Sequence, residues 1–228
     1  ALPISRLKEM GVSGYNIENV SQVQDKNGEW RPIDSDKDPT VILLHYPSIL
    51  EDTINYIPPR VKIEISCLSM DEPTELRQIR SLIGESFDGE DRGAESLVRT
   101  VVPTRTFLEK LFLLAEEFQK EKPRSVRMSR HLYDLEKLMD TEYGLEALSN
   151  RKLYDAIVEH RKTYYALKYV NYDLHAPSSI SFTIPKSVMD AWQDDYADMR
   201  RFFIYGESLE FDALMQKMRE LQERVRVM

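Results

Sequence analysis

The apolar positions of this chain change period near residue 102. Before that point they alternate or form short solid runs. "TVILLHY" (40–46) is nearly continuous, bounded by Pro39 and Pro47, and predicts a central strand. "RVKIEIS" (60–66) alternates, with Val61, Ile63 and Ile65 to one side and Lys62, Glu64 and Ser66 to the other. "GYNIENVSQVQDKNGEW" holds Asn27-Gly28, a favoured tight-turn pair, between candidate strands. "ESLVRTVV" (95–102) predicts one more strand. Between these, "MDEPTELRQIRSLIG" predicts a helix starting near Pro73, with Glu75 and Gly84 as start and stop signals.

After residue 102 the spacing is helical. It predicts helices over about 104–121, 127–140, 150–169, 185–203 and 208–226, punctuated by Pro123, Gly144, Pro177, Pro185 and Gly206. Thr104 and Ser208 are candidate caps of the first and last. In the first helix, Phe107, Leu108, Leu111, Phe112, Leu114, Ala115 and Phe118 make one apolar stripe. The expected class is therefore α+β, with a mixed-sheet region over 1–102 and a helical domain over 103–228.

Composition narrows the classes. With 228 residues, 42% of them hydrophobic, a sizeable core can be buried. The formal net charge of −8 argues against a general polyanion binder, so any nucleic-acid contact needs a local basic patch. The single cysteine, Cys67, rules out an internal disulfide and fits a reducing, cytoplasmic setting. No apolar run approaches a membrane span, and no signal peptide is visible. The chain opens on Ala1 in what reads as the end of a helix, which suggests a fragment or a processed product.

Three side chains raise a chemical question. Lys110 flanks the apolar stripe one turn before Leu114. It is either a snorkelling lysine whose stem covers the core or a lysine presented to a triphosphate. Asp134 lies opposite Leu132, Leu135 and Met139, with Arg130 and Lys137 in helical reach, and reads locally as a surface ion-pairing residue. Glu64 is either part of a solvated sheet face or a carboxylate held on rigid sheet for metal-dependent phosphoryl transfer. The Asp34-x-Asp36 pair in "IDSDKD" reads as a solvated turn. The four histidines lack metal-ligand spacing, and the eight glycines form no phosphate loop or dinucleotide pattern.

The stretches "LLHYPS" (43–48), "PRVKIEISCLSMDEPTE" (59–75), "RTFLEKLFLL" (105–114), "SRHLYDLEKL" (129–138), "AIVEHRKTYY" (156–165) and "WQDDYADMRRFF" (192–203) occur in that order. Together they resemble the AbiEii/AbiGii family of nucleotidyltransferase-like toxins of bacterial abortive-infection and toxin–antitoxin systems. The resemblance implies a nucleotidyltransferase domain followed by a helical domain. It also implies transfer of a nucleotide from an NTP with Mg²⁺, with RNA such as tRNA as a candidate acceptor. By motif, Lys110 would hold the NTP phosphates and Asp134 would act as base or positioning residue. Glu64 would support the metal, and Arg105, Arg130 and Lys62 would contact substrate. The family's Gly-Gly-Thr/Ser turn with its following Asp-x-Asp is missing here. This suggests an incomplete catalytic part and self-association through uncovered sheet. The other reading is a non-catalytic helical module that binds a partner protein such as an antitoxin.

Overall fold

A computed structural model describes residues 9, 11, 13–24, 29–34, 38–48, 58–65, 74–87 and 95–228. The chain forms two compact units, Ala1–Met70 and Asp71–Met228, and its class is α+β. The tight-turn pair Asn27-Gly28, Asp36 and Cys67 lie outside the described residues.

The first unit contains β1 (Asn16–Asn19), β2 (Gln22–Gln24), β3 (Trp30–Pro32), β4 (Thr40–His45) and β5 (Arg60–Ile65). β2 and β3 pair antiparallel. β4 is central in the antiparallel order β1-β4-β5, as its solid apolar run requires. Val41 pairs with Glu64 and Leu43 with Lys62, while Ile42 pairs with Ile63. Directly paired residues share a face, so the buried Val41 and Leu43 stand on the same side as Lys62 and Glu64. The alternation of β5 is as expected, but its apolar side is not the buried one. Val61, Ile63 and Ile65 are 49%, 39% and 58% exposed.

The second unit begins with β6 (Thr74–Arg80) and β7 (Glu95–Val101), paired antiparallel from Thr74↔Val101 to Arg80↔Glu95. This corrects the helix expected from Pro73. Leu76 and Ile79 have helical spacing, but the segment's backbone bonds are taken by β7. Only α1 (Leu82–Ser86) is helical there, its first turn capped by the Ser81 hydroxyl, which accepts from the Gly84 amide at 2.9 Å.

The helices that follow are α2 (Pro103–Glu117), α3 (Ser129–Leu138), α4 (Glu142–Ser149), α5 (Arg151–His160), α6 (Met189–Phe202) and α7 (Phe211–Arg226). Pro103 opens α2 from a first-turn position where its missing N–H costs nothing. The α2 stripe forms the centre of the core, with Phe107, Leu108, Leu111 and Phe112 fully buried against side chains such as Leu132, Leu135 and Tyr154. Each such side chain contributes roughly 1.5–3 kcal/mol.

Several boundaries differ from the sequence pattern. Val102 precedes α2, and the Thr104 hydroxyl instead donates to Glu146 at 2.9 Å. Ser208 does not cap α7 either; its hydroxyl accepts from Arg200 Nε at 3.0 Å. Gly144 lies inside α4 rather than breaking the chain. A Cβ there would stand 2.2 Å from the Leu138 carbonyl oxygen, so glycine permits the close approach of α4 to the end of α3. The helix expected to reach residue 169 ends at His160. It passes into a π-helical turn, Arg161–Tyr165, closed by Ala166 in the left-handed region (φ 43°, ψ 45°).

The segment from Ile180 to Ile184 is extended, with Ile180, Phe182 and Ile184 buried and Ser181 and Thr183 exposed. It joins no described strand. The side chain of Gln222, on α7, donates to the Ile180 carbonyl at 2.6 Å and accepts from the Phe182 amide at 3.2 Å.

Candidate active site

α2 and α3 pack side by side, and two polar side chains at the edge of their contact meet. Lys110 Nζ donates to Asp134 Oδ2 at 2.6 Å. The lysine is 22% exposed and the aspartate 36%, so the pair lies at a boundary between core and water. The spacing explains the meeting. Lys110 borders the stripe that α2 buries, and Asp134 stands one turn beyond the buried His131 on α3.

The connection between the two helices is fixed by a buried carboxylate. Glu117 accepts from Arg124 N (2.8 Å), Nε (3.1 Å) and Nη2 (2.8 Å), and from Lys120 Nζ (2.8 Å). Burial opposes the charge on Glu117, but the Arg124 and Lys120 bonds outweigh it and hold its pKa below the ordinary value.

The start of α3 is held from α6. Asp195 accepts from the Arg127 amide at 2.5 Å and from the Ser129 amide and hydroxyl at 3.0 and 2.5 Å. It acts as a helix cap supplied from a distant part of the chain. Arg127 itself has a left-handed backbone, φ 58°, a conformation this anchoring sustains.

Beside Asp134 on α3 stand Arg130, exposed, and His131, buried. Burial and the positive charges of Lys110 and Arg130 push the His131 imidazole down to about 4. The Asp134 carboxylate acts in the opposite direction but does not outweigh them. The imidazole is therefore neutral at ordinary pH, and its Nδ1 has no hydrogen-bond partner among the described residues.

Arg105 lies on α2, five positions before Lys110. It is buried and donates to Glu109 Oε1 at 2.8 Å. Glu109 in turn bonds Arg161, which also donates to Glu116 through Nε (2.7 Å) and Nη2 (2.5 Å). His175, fully buried, places Nε2 3.6 Å from Glu116, outside hydrogen-bond reach.

Lys62 and Glu64 belong to the first unit, where they pair with each other at 2.7 Å and are about half exposed. Asp34 is tied by its amide to Asp38, which pairs with Arg31 at 2.5 Å.

Sequence pattern raised Lys110, Asp134 and Glu64 as questions, and only the family resemblance gave these three, and Arg105, Arg130 and Lys62, a role. The pattern missed Asp195, although "WQDDYADMRRFF" contains it, and it missed the neutral state of His131.

A family model, described as nucleotidyl transferase AbiEii toxin, Type IV toxin–antitoxin system, matches residues 8–217. The chain belongs to the AbiEii family. The match spans Lys62, Glu64, Arg105, Lys110, Arg130 and Asp134. No curated protein and no solved structure matches the chain. Nucleotidyltransferases of the AbiEii kind generally use a divalent metal. Among the described residues, no group of three or more His, Cys, Asp or Glu could hold one, and Glu64 is engaged by Lys62. The described side chains therefore do not make up a metal site. Nor is any helix among the described residues long and apolar enough to cross a membrane.

Proposed function

We propose that the protein transfers a nucleotide from an NTP to an RNA acceptor such as tRNA, acting as a cytoplasmic toxin in abortive infection with an antitoxin as partner. The observation that carries this reading is the 2.6 Å contact of Lys110 with Asp134, beside Arg130 and a neutral His131. The acceptor hydroxyl oxygen forms a bond to the α-phosphorus, and the bond from that phosphorus to the pyrophosphate oxygen breaks. Asp134 takes the hydroxyl proton. Lys110 and Arg130 balance the charge of the triphosphate and of the departing pyrophosphate, an electrostatic task that supplies most of the catalysis in such reactions.

Lys110 is bonded to Asp134 without substrate. An arriving triphosphate competes for the lysine and releases the carboxylate to act as base. Arg105, the other candidate for phosphate contact, is buried and paired with Glu109. In this reading Mg²⁺ accompanies the NTP; Glu64 is the carboxylate assigned to the metal and Lys62 a residue assigned to substrate.

The test is NTP-dependent labelling of RNA and growth inhibition by Lys110→Ala and Asp134→Ala in the full protein. Each is expected to lose roughly 10²-fold or more activity, as for removal of a charge-stabilising group. Both should stay folded, because a partly exposed pair contributes about 1 kcal/mol or less. Full labelling by both variants would return the pair to a surface ion pair. The chain would then be a helical module for a protein partner such as an antitoxin.

A further inference from the structure

We infer that the π turn Arg161–Tyr165, the loop that follows to Asn171 and the α2–α3 connection form one surface that binds single-stranded RNA. The choice of RNA over DNA rests on the acceptor proposed above; the surface itself rests on the following observations.

Charge is concentrated there. Residues 118–130 and 160–172 hold eight lysines and arginines against one carboxylate, Glu121, in a chain whose balance is −8. Some of these cations are neutralised, Lys120 and Arg124 by Glu117 and Arg161 by Glu116 and Glu109. Lys122, Lys162 and Lys168 are exposed and make no hydrogen bond or ion pair among the described residues. Free ammonium groups on an acidic protein attract a polyanion locally where the global field does not.

Aromatic rings are interleaved with these cations. Tyr164, Tyr165 and Tyr169 are 65%, 37% and 45% exposed. Tyr164 is backed by the His160 ring at 4.7 Å, and Tyr165 by the Arg161 guanidinium at 4.8 Å. Lys120 Nζ stands 5.4 Å from the Tyr169 ring. Rings supported from behind with a face or edge in water, set among free lysines, form a platform on which unpaired bases stack. A protein-docking face would instead be depleted of lysine at its centre.

The backbone supports the same reading. The turn is widened, with the Ala166 amide reaching the Arg161 carbonyl at 3.0 Å. It ends on an exposed non-glycine residue in the left-handed region, at a cost of about 1 kcal/mol with no packing in return. The loop is tied to the α2–α3 connection by the Asn171 amide, which donates to Gln119 Oε1 at 2.7 Å. Lys110 and Glu117, seven residues apart, share one face of α2 at about 10 Å separation. The α2–α3 connection therefore begins on the same face of α2 as the Lys110–Asp134 pair, about two turns further on. An RNA strand held on the tyrosines can bring its end to that pair.

The test uses a fluorescein-labelled U12 RNA oligonucleotide and fluorescence anisotropy on the full protein, without NTP. Wild type is expected to bind in a salt-dependent way. Lys162→Glu/Lys168→Glu should weaken binding at least tenfold and flatten the salt slope by about 1.4, two phosphate contacts of a single strand. Tyr164→Ala/Tyr169→Ala should weaken it roughly tenfold or more, while Tyr164→Phe/Tyr169→Phe keeps near-wild-type binding. Far-ultraviolet circular dichroism verifies that each variant is folded. The surface is overturned if wild type does not bind U12, if folded variants bind as wild type does, or if a U12–A12 duplex binds equally well. Failure of the nucleotidyl-transfer reading would appear as full labelling by Lys110→Ala, and failure of this surface as undiminished binding by the lysine and tyrosine variants.

Discussion

The Asp195 carboxylate receives both the amide and the hydroxyl of Ser129, at 3.0 and 2.5 Å. Sixty-six positions separate the two residues, so α6 supplies the cap that α3 lacks in its own sequence. Arg130, His131 and Asp134 all follow from that anchored end. Asp195→Ala should cost about 2 kcal/mol, since three donors lose one charged acceptor. The shift appears in the urea midpoint. Activity should fall further than stability explains, because α3 carries Asp134.

His131 reports on the candidate site. Its imidazole titrates near 4 in the folded protein, against 6.5 as its ordinary value. Lys110→Ala removes a cation that depresses it, so the pKa should rise. A triphosphate bound at Lys110 and Arg130 should raise it too. Histidine ring signals followed by NMR check both. If neither moves His131, burial alone holds it neutral and the triphosphate does not sit at Lys110.

Acid should destabilise the second unit in two windows. The folded pKa of His131 is depressed, so its contribution is fully present above about 6.5 and falls as pH drops toward 4, on the order of 1–3 kcal/mol. Glu116 is opposed by burial, but the Arg161 bonds prevail and hold its pKa below 4.5. Its contribution is present above about 4.5 and is lost as pH falls through the lowered value. Urea midpoints between pH 7 and 3 should decline through both windows, and His131→Gln should remove the upper one.

Glu116→Ala should be costly. It leaves the Arg161 guanidinium buried without its bidentate partner, a change worth about 3–5 kcal/mol. Thermal unfolding gives the measure. The partly exposed Arg151–Asp155 pair is the control, and Asp155→Ala should cost under about 1 kcal/mol.

β5 is an edge of its described sheet and carries three exposed apolar side chains, Val61, Ile63 and Ile65. Unprotected edges of this kind promote association. Light scattering should detect concentration-dependent self-association, reduced by Ile65→Lys. A clean monomer at high concentration would show that this edge does not act.

Legibility in the sequence followed the range of the interactions. The alternation of 60–65 and the solid run of 41–44 were readable, because a strand shows its period locally. The 74–80 strand was not, since Leu76 and Ile79 imitate a helix and the partner that decides, β7, lies some twenty residues away. Gly144 read as a breaker because glycine usually is one; its actual role depends on how close α4 approaches Leu138. Thr104 and Ser208 looked like caps, but their hydroxyls are committed to Glu146 and Arg200. At the site, the positions of Lys110 and Asp134 on helix borders were legible. Asp195 and the Arg161–Glu116 pair were not, because each joins segments 45 or more residues apart.

One glutamine has a consequence for how the second unit comes together. Gln222 stands in for a neighbouring strand, satisfying Ile180 and Phe182 with one amide. Until α7 arrives, those two backbone groups can be bonded only by water, so the segment cannot bury Phe182 without leaving them unpaired. Docking of α7 and burial of the Ile180–Ile184 segment therefore favour one another. A protease that removed the last helix would unseat the Ile180–Ile184 segment with it.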